Sequence, residues 1–218
     1  MHLTVKAVIF DMDGVITDTM PYHYRAWKMV FAHYGVKVSH LDIYSREGQK
    51  GIDSVREICA EQGIVFDAVK AQGLLIAKEE LFKRIFKRRF IAGSRFFLQK
   101  LFAAGFRLAL VTGTSRHEAV RLLPKDIFDL FSVTVCGSDV HNGKPHPEPY
   151  LTALKKLKIR KKQAVVIENA PFGVRSAKAA GICCLGLSTS LPKDYLKAAD
   201  AVFSSFKDLN QAVRFIKG

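Results

Sequence analysis

Four short polar segments hold the residues able to do chemistry. The first is Asp11-Met12-Asp13-Gly14, two carboxylates spaced i, i+2 at the end of the apolar run Ala7-Val8-Ile9-Phe10. The others are Thr112-Gly113-Thr114-Ser115, Gly143-Lys144-Pro145 and Glu168-Asn169. A carboxylate can attack phosphorus and form an aspartyl phosphate, dividing a difficult hydrolysis into two steps. Asp11, directly at the end of the run, is the candidate nucleophile. Asp13 is the candidate acid and base, protonating the leaving alkoxide and then deprotonating water. Two close carboxylates repel unless a cation or protons neutralise them. Mg²⁺ takes oxygen ligands and would offset that repulsion, with Asp11 and the Asn169 amide oxygen as donors and Glu168 nearby. Backbone N–H groups of Gly113, Thr114 and Ser115 start a helix and would cradle an anion, with Thr112 and Arg116 flanking them. Lys144 would neutralise charge on the transferring oxygens. Singly, each segment also fits a turn or a helix cap. Together, in this order, they make a complete phosphoryl-transfer site.

Such a site needs all four segments on one rim, and in an open parallel sheet that rim lies beyond the carboxyl ends of the strands. Residues 7–10 read as a buried strand. Further strands are expected at 107–112, 133–136, 164–167, 182–187 and 201–203. They alternate with helices at 94–104, 115–123, 147–157, 171–180, 192–199 and 205–216. This alternation predicts an α/β fold with a Rossmann-like parallel sheet. Between the first strand and residue 90 the pattern is helical, over 19–34 with Pro21 in the first turn, 52–62 and 67–90. The expected organisation is a catalytic core of residues 1–18 and 90–218 and an inserted α-helical cap of residues 19–89. Hinges near 15–19 and 91–93 would let the cap close and exclude water.

The 218 residues, 49% hydrophobic and 25% charged, have an ordinary globular composition. No apolar run approaches the ~18–20 residues of a membrane span, and a secretory leader is not expected. Cys59, Cys136, Cys183 and Cys184 lack C-x-x-C spacing, so neither a zinc site nor a disulfide framework is indicated. Reduced thiols and a cytoplasmic residence are expected. The net charge of +14 favours encounter with anions. Its densest runs, 155–162 and 83–89, read as solvated helix ends, because no nucleic-acid-binding signature accompanies them. A small phosphorylated metabolite is therefore the expected partner, ahead of nucleic acid or membrane.

Asp-Met-Asp-Gly-Val-Ile-Thr-Asp-Thr, Val-Thr-Gly-Thr-Ser-Arg, Gly-Lys-Pro-His-Pro-Glu-Pro-Tyr and Val-Ile-Glu-Asn-Ala-Pro-Phe-Gly resemble the four motifs of the haloacid dehalogenase superfamily. Within it the chain is most similar to the β-phosphoglucomutase-like phosphatase group. The resemblance implies Asp11 as nucleophile and Asp13 as acid and base, with the Asp13 main-chain carbonyl a Mg²⁺ ligand. It also implies Thr112 and Lys144 as phosphate ligands. One departure is Asn169, where the group commonly has a second carboxylate; retuned Mg²⁺ affinity is expected, with Glu168 compensating.

Asp13 points away from dehalogenases, which generally lack that second acid. Phosphonate-cleaving relatives need a Schiff-base lysine in the cap, and the aligned position holds Gly51, next to Lys50. Segments 22–27 and 50–51 also resemble β-phosphoglucomutase. There His23 would hold Asp13 away until a sugar binds, while Lys50, with Arg46 or Arg56, would meet the substrate from the cap. The expected function is a Mg²⁺-dependent phosphatase for a small metabolite, sugar phosphates included. A sugar phosphomutase is the alternative; a phosphonatase or a non-enzymatic anion-binding protein are lesser ones.

Overall fold

The computed structural model describes residues 1–218. Strands β1 (His2–Val5) and β2 (Ala7–Phe10) precede four helices, α1 (Met20–Ala32), α2 (His40–Tyr44), α3 (Gly51–Ala60) and α4 (Ala68–Ile85). Then follow α5 (Ser94–Ala103), β3 (Arg107–Val111), α6 (Arg116–Leu122), α7 (Lys125–Phe128), β4 (Phe131–Val135) and α8 (Glu148–Leu157). The chain finishes with β5 (Ala164–Glu168), α9 (Pro171–Ala179), β6 (Cys183–Leu187), β7 (Ala201–Phe203), α10 (Phe206–Ala212) and β8 (Arg214–Lys217). Six strands form one parallel sheet in the order β4-β3-β2-β5-β6-β7. This is the α/β fold expected from the alternation of strands and helices.

Side chains alternate across a strand, so a strand covered on both faces must be apolar at every position. Accordingly Val8, Phe10, Leu108, Leu110, Val165 and Ile167 enter one apolar layer. Their neighbours Ala7, Ile9, Ala109, Val111, Ala164 and Val166 enter the other. Ala7 pairs with Arg107 on one side of β2 and with Ala164 on the other, and Phe10 pairs with Leu110 and Ile167. This register ends the three central strands on one rim, where Asp11, Thr112 and Glu168 emerge.

Helices α1 to α4 carry an apolar cluster of their own, centred on Trp27, Phe31, Val55, Ile58 and Leu74. The chain leaves the sheet and returns to it through adjacent segments. Asp18 N donates to Arg89 O at 3.0 Å, and Ile91 N to Ile16 O at 3.0 Å. Buried Ser94 adds an Oγ bond to the same Ile16 carbonyl at 2.9 Å.

The ends of the chain differ from expectation. Residues 205–216 are not one helix: α10 stops at Ala212, and β8 pairs in parallel with β1, an unexpected strand. Phe206, Leu209 and Val213 suit a helix face, but Phe215 packs edge-on against Phe97 and Phe106, which only an extended segment reaches. Helix α4 ends at Ile85 rather than near 90, because Arg88 turns away to donate to the carbonyls of Leu122 and Arg121. The helix expected over 192–199 is only a 3₁₀ turn, Lys193–Leu196.

Phe10 is fully buried and packs edge-on against Phe97 and Phe131, with ring centroids 6.3 and 6.4 Å away. Phe10→Ala is expected to cost about 3–5 kcal/mol by removing this contact and leaving a cavity. Urea unfolding of the two proteins measures it.

Candidate active site

Lys144, in the loop between β4 and α8, is 1% exposed. Its Nζ donates to Asp11 Oδ1 and Glu168 Oε1, both at 2.6 Å, and to the Val111 carbonyl at 3.2 Å. Burial opposes the lysine charge, but Asp11 and Glu168 outweigh it and hold the ammonium above its ordinary range. Asp11 belongs to a cluster with more acid than base. Burial pushes its carboxyl from 3.8 up to about 8, against the pull of Lys144 and with the help of Glu168 and Asp13. The other oxygen, Asp11 Oδ2, is buried with no hydrogen-bond partner.

Glu168 is committed to four donors. Oε1 takes Lys144 and the Tyr150 hydroxyl at 2.8 Å, and Oε2 takes the backbone N–H groups of Asn169 at 2.9 Å and Ala170 at 3.3 Å. Glu168, expected near the metal, therefore reaches one only by giving up one of these bonds. Asn169 differs. Its Nδ2 donates to Ser190 Oγ at 3.0 Å, leaving buried Oδ1 without a partner. No three His, Cys, Asp or Glu side chains converge on one point. The two orphaned oxygens, Asp11 Oδ2 and Asn169 Oδ1, are nevertheless the hard donors that Mg²⁺ takes, in a cluster short of positive charge. The residues present fit the ion.

Asp13 is fully buried and held as a carboxylate. Burial acts to raise it, but donors from His23, Thr19 and Thr114 outweigh that and hold it below the usual range. Thr19 Oγ1 donates to Oδ1, and Thr114 Oγ1 donates to Oδ2 at 3.1 Å. Burial, then the nearby Lys78 charge, pushes His23 down, so its ring is neutral. Lys78 Nζ donates to His23 Nδ1 at 3.0 Å, which assigns the ring proton to Nε2, 3.4 Å from Asp13 Oδ1. Phe82 stacks on the His23 ring at 4.2 Å, and Lys78 lies over Trp27 and Phe82 at 5.1 and 5.3 Å.

Sequence reasoning missed Lys78, because one lysine on a helix rich in lysine carries no distinguishing signal. It also missed Tyr150 and Ser190, which act only through their neighbours.

The anion cradle lies on the same rim. Thr112 is 3% exposed and its Oγ1 accepts from Thr114 N at 3.1 Å, while Ser115 caps α6 by accepting from Glu118 N. Gly48, from the loop between α2 and α3, touches both Lys144 and this cradle. A Cβ on Gly48 would meet Lys144 Cδ at 2.4 Å, and one on Gly113 would meet Gly48 O at 2.7 Å. Only glycine permits so close an approach.

Four expected contacts are turned elsewhere. Lys50 Nζ donates to the carbonyls of Val140 and His141 at 2.6 and 2.7 Å, tying the helical block to the sheet loops. Arg46 pairs with Glu57 and Glu61, and Arg116 with Asp139. Arg56 is exposed.

Residues 8–187 match the family of haloacid dehalogenase-like hydrolases. A phosphorylated carbohydrates phosphatase of Thermotoga maritima is 34% identical over 182 residues, 82% of each chain. The β-phosphoglucomutase of Bacillus subtilis is 30% identical over 216 residues, 94% of this chain and 92% of its own. A solved structure from Bacteroides vulgatus, provisionally assigned as a β-phosphoglucomutase, superposes with a TM-score of 0.87 at 33% identity. It covers 96% of this chain and 88% of its own. The chain thus belongs to the haloacid dehalogenase-like hydrolases, in their β-phosphoglucomutase-like phosphatase group.

Proposed function

We propose that this chain is a phosphoric monoester hydrolase that removes phosphate from a small metabolite through an aspartyl phosphate on Asp11. The observation that carries the reading is the state of Asp11: one oxygen held by Lys144 at 2.6 Å, the other buried and unpartnered. Lys144 orients this carboxyl and would favour its charged form, which attack on phosphorus needs. One Asp11 carboxylate oxygen would bond to phosphorus as the P–O bond to the leaving alkoxide breaks, and Asp13, which must first take up a proton as it leaves the donors that hold it as a carboxylate, would pass that proton to the alkoxide. Asp13 would then take a proton from the water that cleaves the acyl phosphate. To do so it must leave Thr19, Thr114 and His23, so proton transfer is coupled to a side-chain movement. Thr112, the N–H groups of 113–115 and Lys144 would hold the phosphoryl oxygens.

Mg²⁺ would be held by Asp11, the Asn169 amide oxygen and, as the family resemblance implies, the Asp13 main-chain carbonyl. Its role when bound is to shield negative charge between the carboxylates and the phosphoryl group. Residues 19–89 would act as a cap over a core of 1–18 and 90–218, with Lys50 as a tie that forms on closure. The four free thiols fit a reducing compartment such as the cytoplasm.

A sugar phosphomutase is the second reading, favoured by one observation: the Lys78–His23–Asp13 chain, which parks the acid away from water. A Mg²⁺-dependent panel of phosphomonoesters, including β-glucose 1-phosphate with a bisphosphate primer, separates the two. Inorganic phosphate is expected as the main product. Glucose 6-phosphate forming faster than phosphate would reverse the assignment.

Asp11→Asn is expected to lower turnover at least about 10³-fold, as loss of a nucleophile does. The same change is expected to stabilise the metal-free protein at neutral pH by about 1–2 kcal/mol, because folding at that pH must put a proton on the Asp11 carboxyl, and asparagine needs none. The sign follows from a raised folded-state value. The Asp11 contribution is complete below 3.8 and is lost as pH climbs through about 8. Thermal melts in chelator should therefore show a fall in stability between about pH 4 and 8 that is smaller in Asp11→Asn.

A further inference from the structure

A carboxylate offers a cation an oxygen whichever way it turns. An asparagine has two unlike ends, an oxygen and an NH₂ group, and only one of them suits a metal. Asn169 is fully buried, so the end that meets no ligand must find its partner inside the protein. Its Nδ2 finds one, donating to Ser190 Oγ at 3.0 Å, and Oδ1 is left without a partner.

Ser190 lies in the loop after β6, and its neighbours anchor that loop. Ser188 N donates to the Phe203 carbonyl at the end of β7 at 2.9 Å, Thr189 Oγ1 donates to the Gly14 carbonyl, and Leu191 is buried. The Asn169 main chain is held as well, through its N–H to Glu168 Oε2. Gly14, at φ +82°, leaves room for the two side chains to meet. A Cβ there would come within 2.1 Å of Asn169 Nδ2 and 2.5 Å of Ser190 Oγ, so any other residue would push this bond apart.

We infer that Ser190 is a positioning residue for the metal site: by accepting from Asn169 Nδ2, it lets the amide present Oδ1 to the cation. This rests on the Mg²⁺ reading of Asp11 and Asn169 above. A serine hydroxyl can donate as well as accept, so the bond by itself would tolerate either turn of the amide. Metal binding would not. It requires the amide oxygen, and the NH₂ group must then have an acceptor. Ser190 Oγ is the acceptor that Nδ2 has. Without it, a metal on Oδ1 would leave a buried donor unpaired, and affinity would fall. A carboxylate at position 169 makes no such demand, because either oxygen serves the cation and the other needs no acceptor.

The test titrates Mg²⁺ calorimetrically, without substrate, into the unmodified chain, Ser190→Ala, Asn169→Asp and the variant with both changes. Ser190→Ala alone is expected to raise the Mg²⁺ Kd about tenfold, as loss of a partner behind a metal ligand does. Added to Asn169→Asp, it is expected to raise Kd less than about threefold. Damage to the loop as such would weaken binding equally in both backgrounds. An equal loss in the two therefore overturns the inference, as does an unchanged Kd in Ser190→Ala, and either result leaves the Mg²⁺ reading intact. Should Ser190→Ala fail to fold by circular dichroism, Ser190→Gly removes the same hydroxyl and is read in the same cycle. No Mg²⁺ binding by the unmodified chain overturns the Mg²⁺ reading and the inference together.

Discussion

One buried lysine holds this active site together. Three carboxylates, Asp11, Asp13 and Glu168, are each at most 1% exposed, and Lys144 is the cation placed between two of them. Removing several charges from water is expensive, and one lysine cannot offset three acids. Folding therefore leaves an unbalanced cluster, and the imbalance appears as the raised Asp11 carboxyl and the two unpartnered oxygens. A divalent cation beside Asp11 would offset that imbalance.

The helical block shares in this cluster. Gly48 touches Lys144 and Gly113, Lys50 bonds the carbonyls of Val140 and His141, and His23 meets Asp13. These contacts link the charge environment of the site to the position of the block. The Lys78–His23–Asp13 chain extends the linkage from α4 to the acid itself, with two aromatic rings shielding the lysine.

The overall charge and the local charge act at different ranges. A chain of +14 attracts phosphate esters at a distance, and screening confines that attraction to approach. Inside the cleft the charge is mixed, with Lys144 and Lys78 set among Asp11, Asp13, Glu168 and Glu47.

The sheet, its parallel sense and the rim carrying Asp11, Thr112 and Glu168 were legible in the sequence, because continuous apolar runs bounded by polar turns encode strands buried on both faces. The β1–β8 pair was not legible, since it joins the first residues to the last and its alternation is as short as the helical spacing it mimics. Of the site, residue types and order were legible for Asp11, Asp13, Lys144 and Asn169. What each side chain touches was not. That Lys50 holds backbone carbonyls, that Glu168 is saturated by Lys144, Tyr150 and two N–H groups, and that Lys78 stands behind His23 depend on contacts between residues up to 91 positions apart. Local sequence determines which strand ends bear acids and which bear hydroxyls. Only packing decides which donors reach those acids, because hydrogen bonds act over about 3 Å and the chain is free to bring any two segments that close.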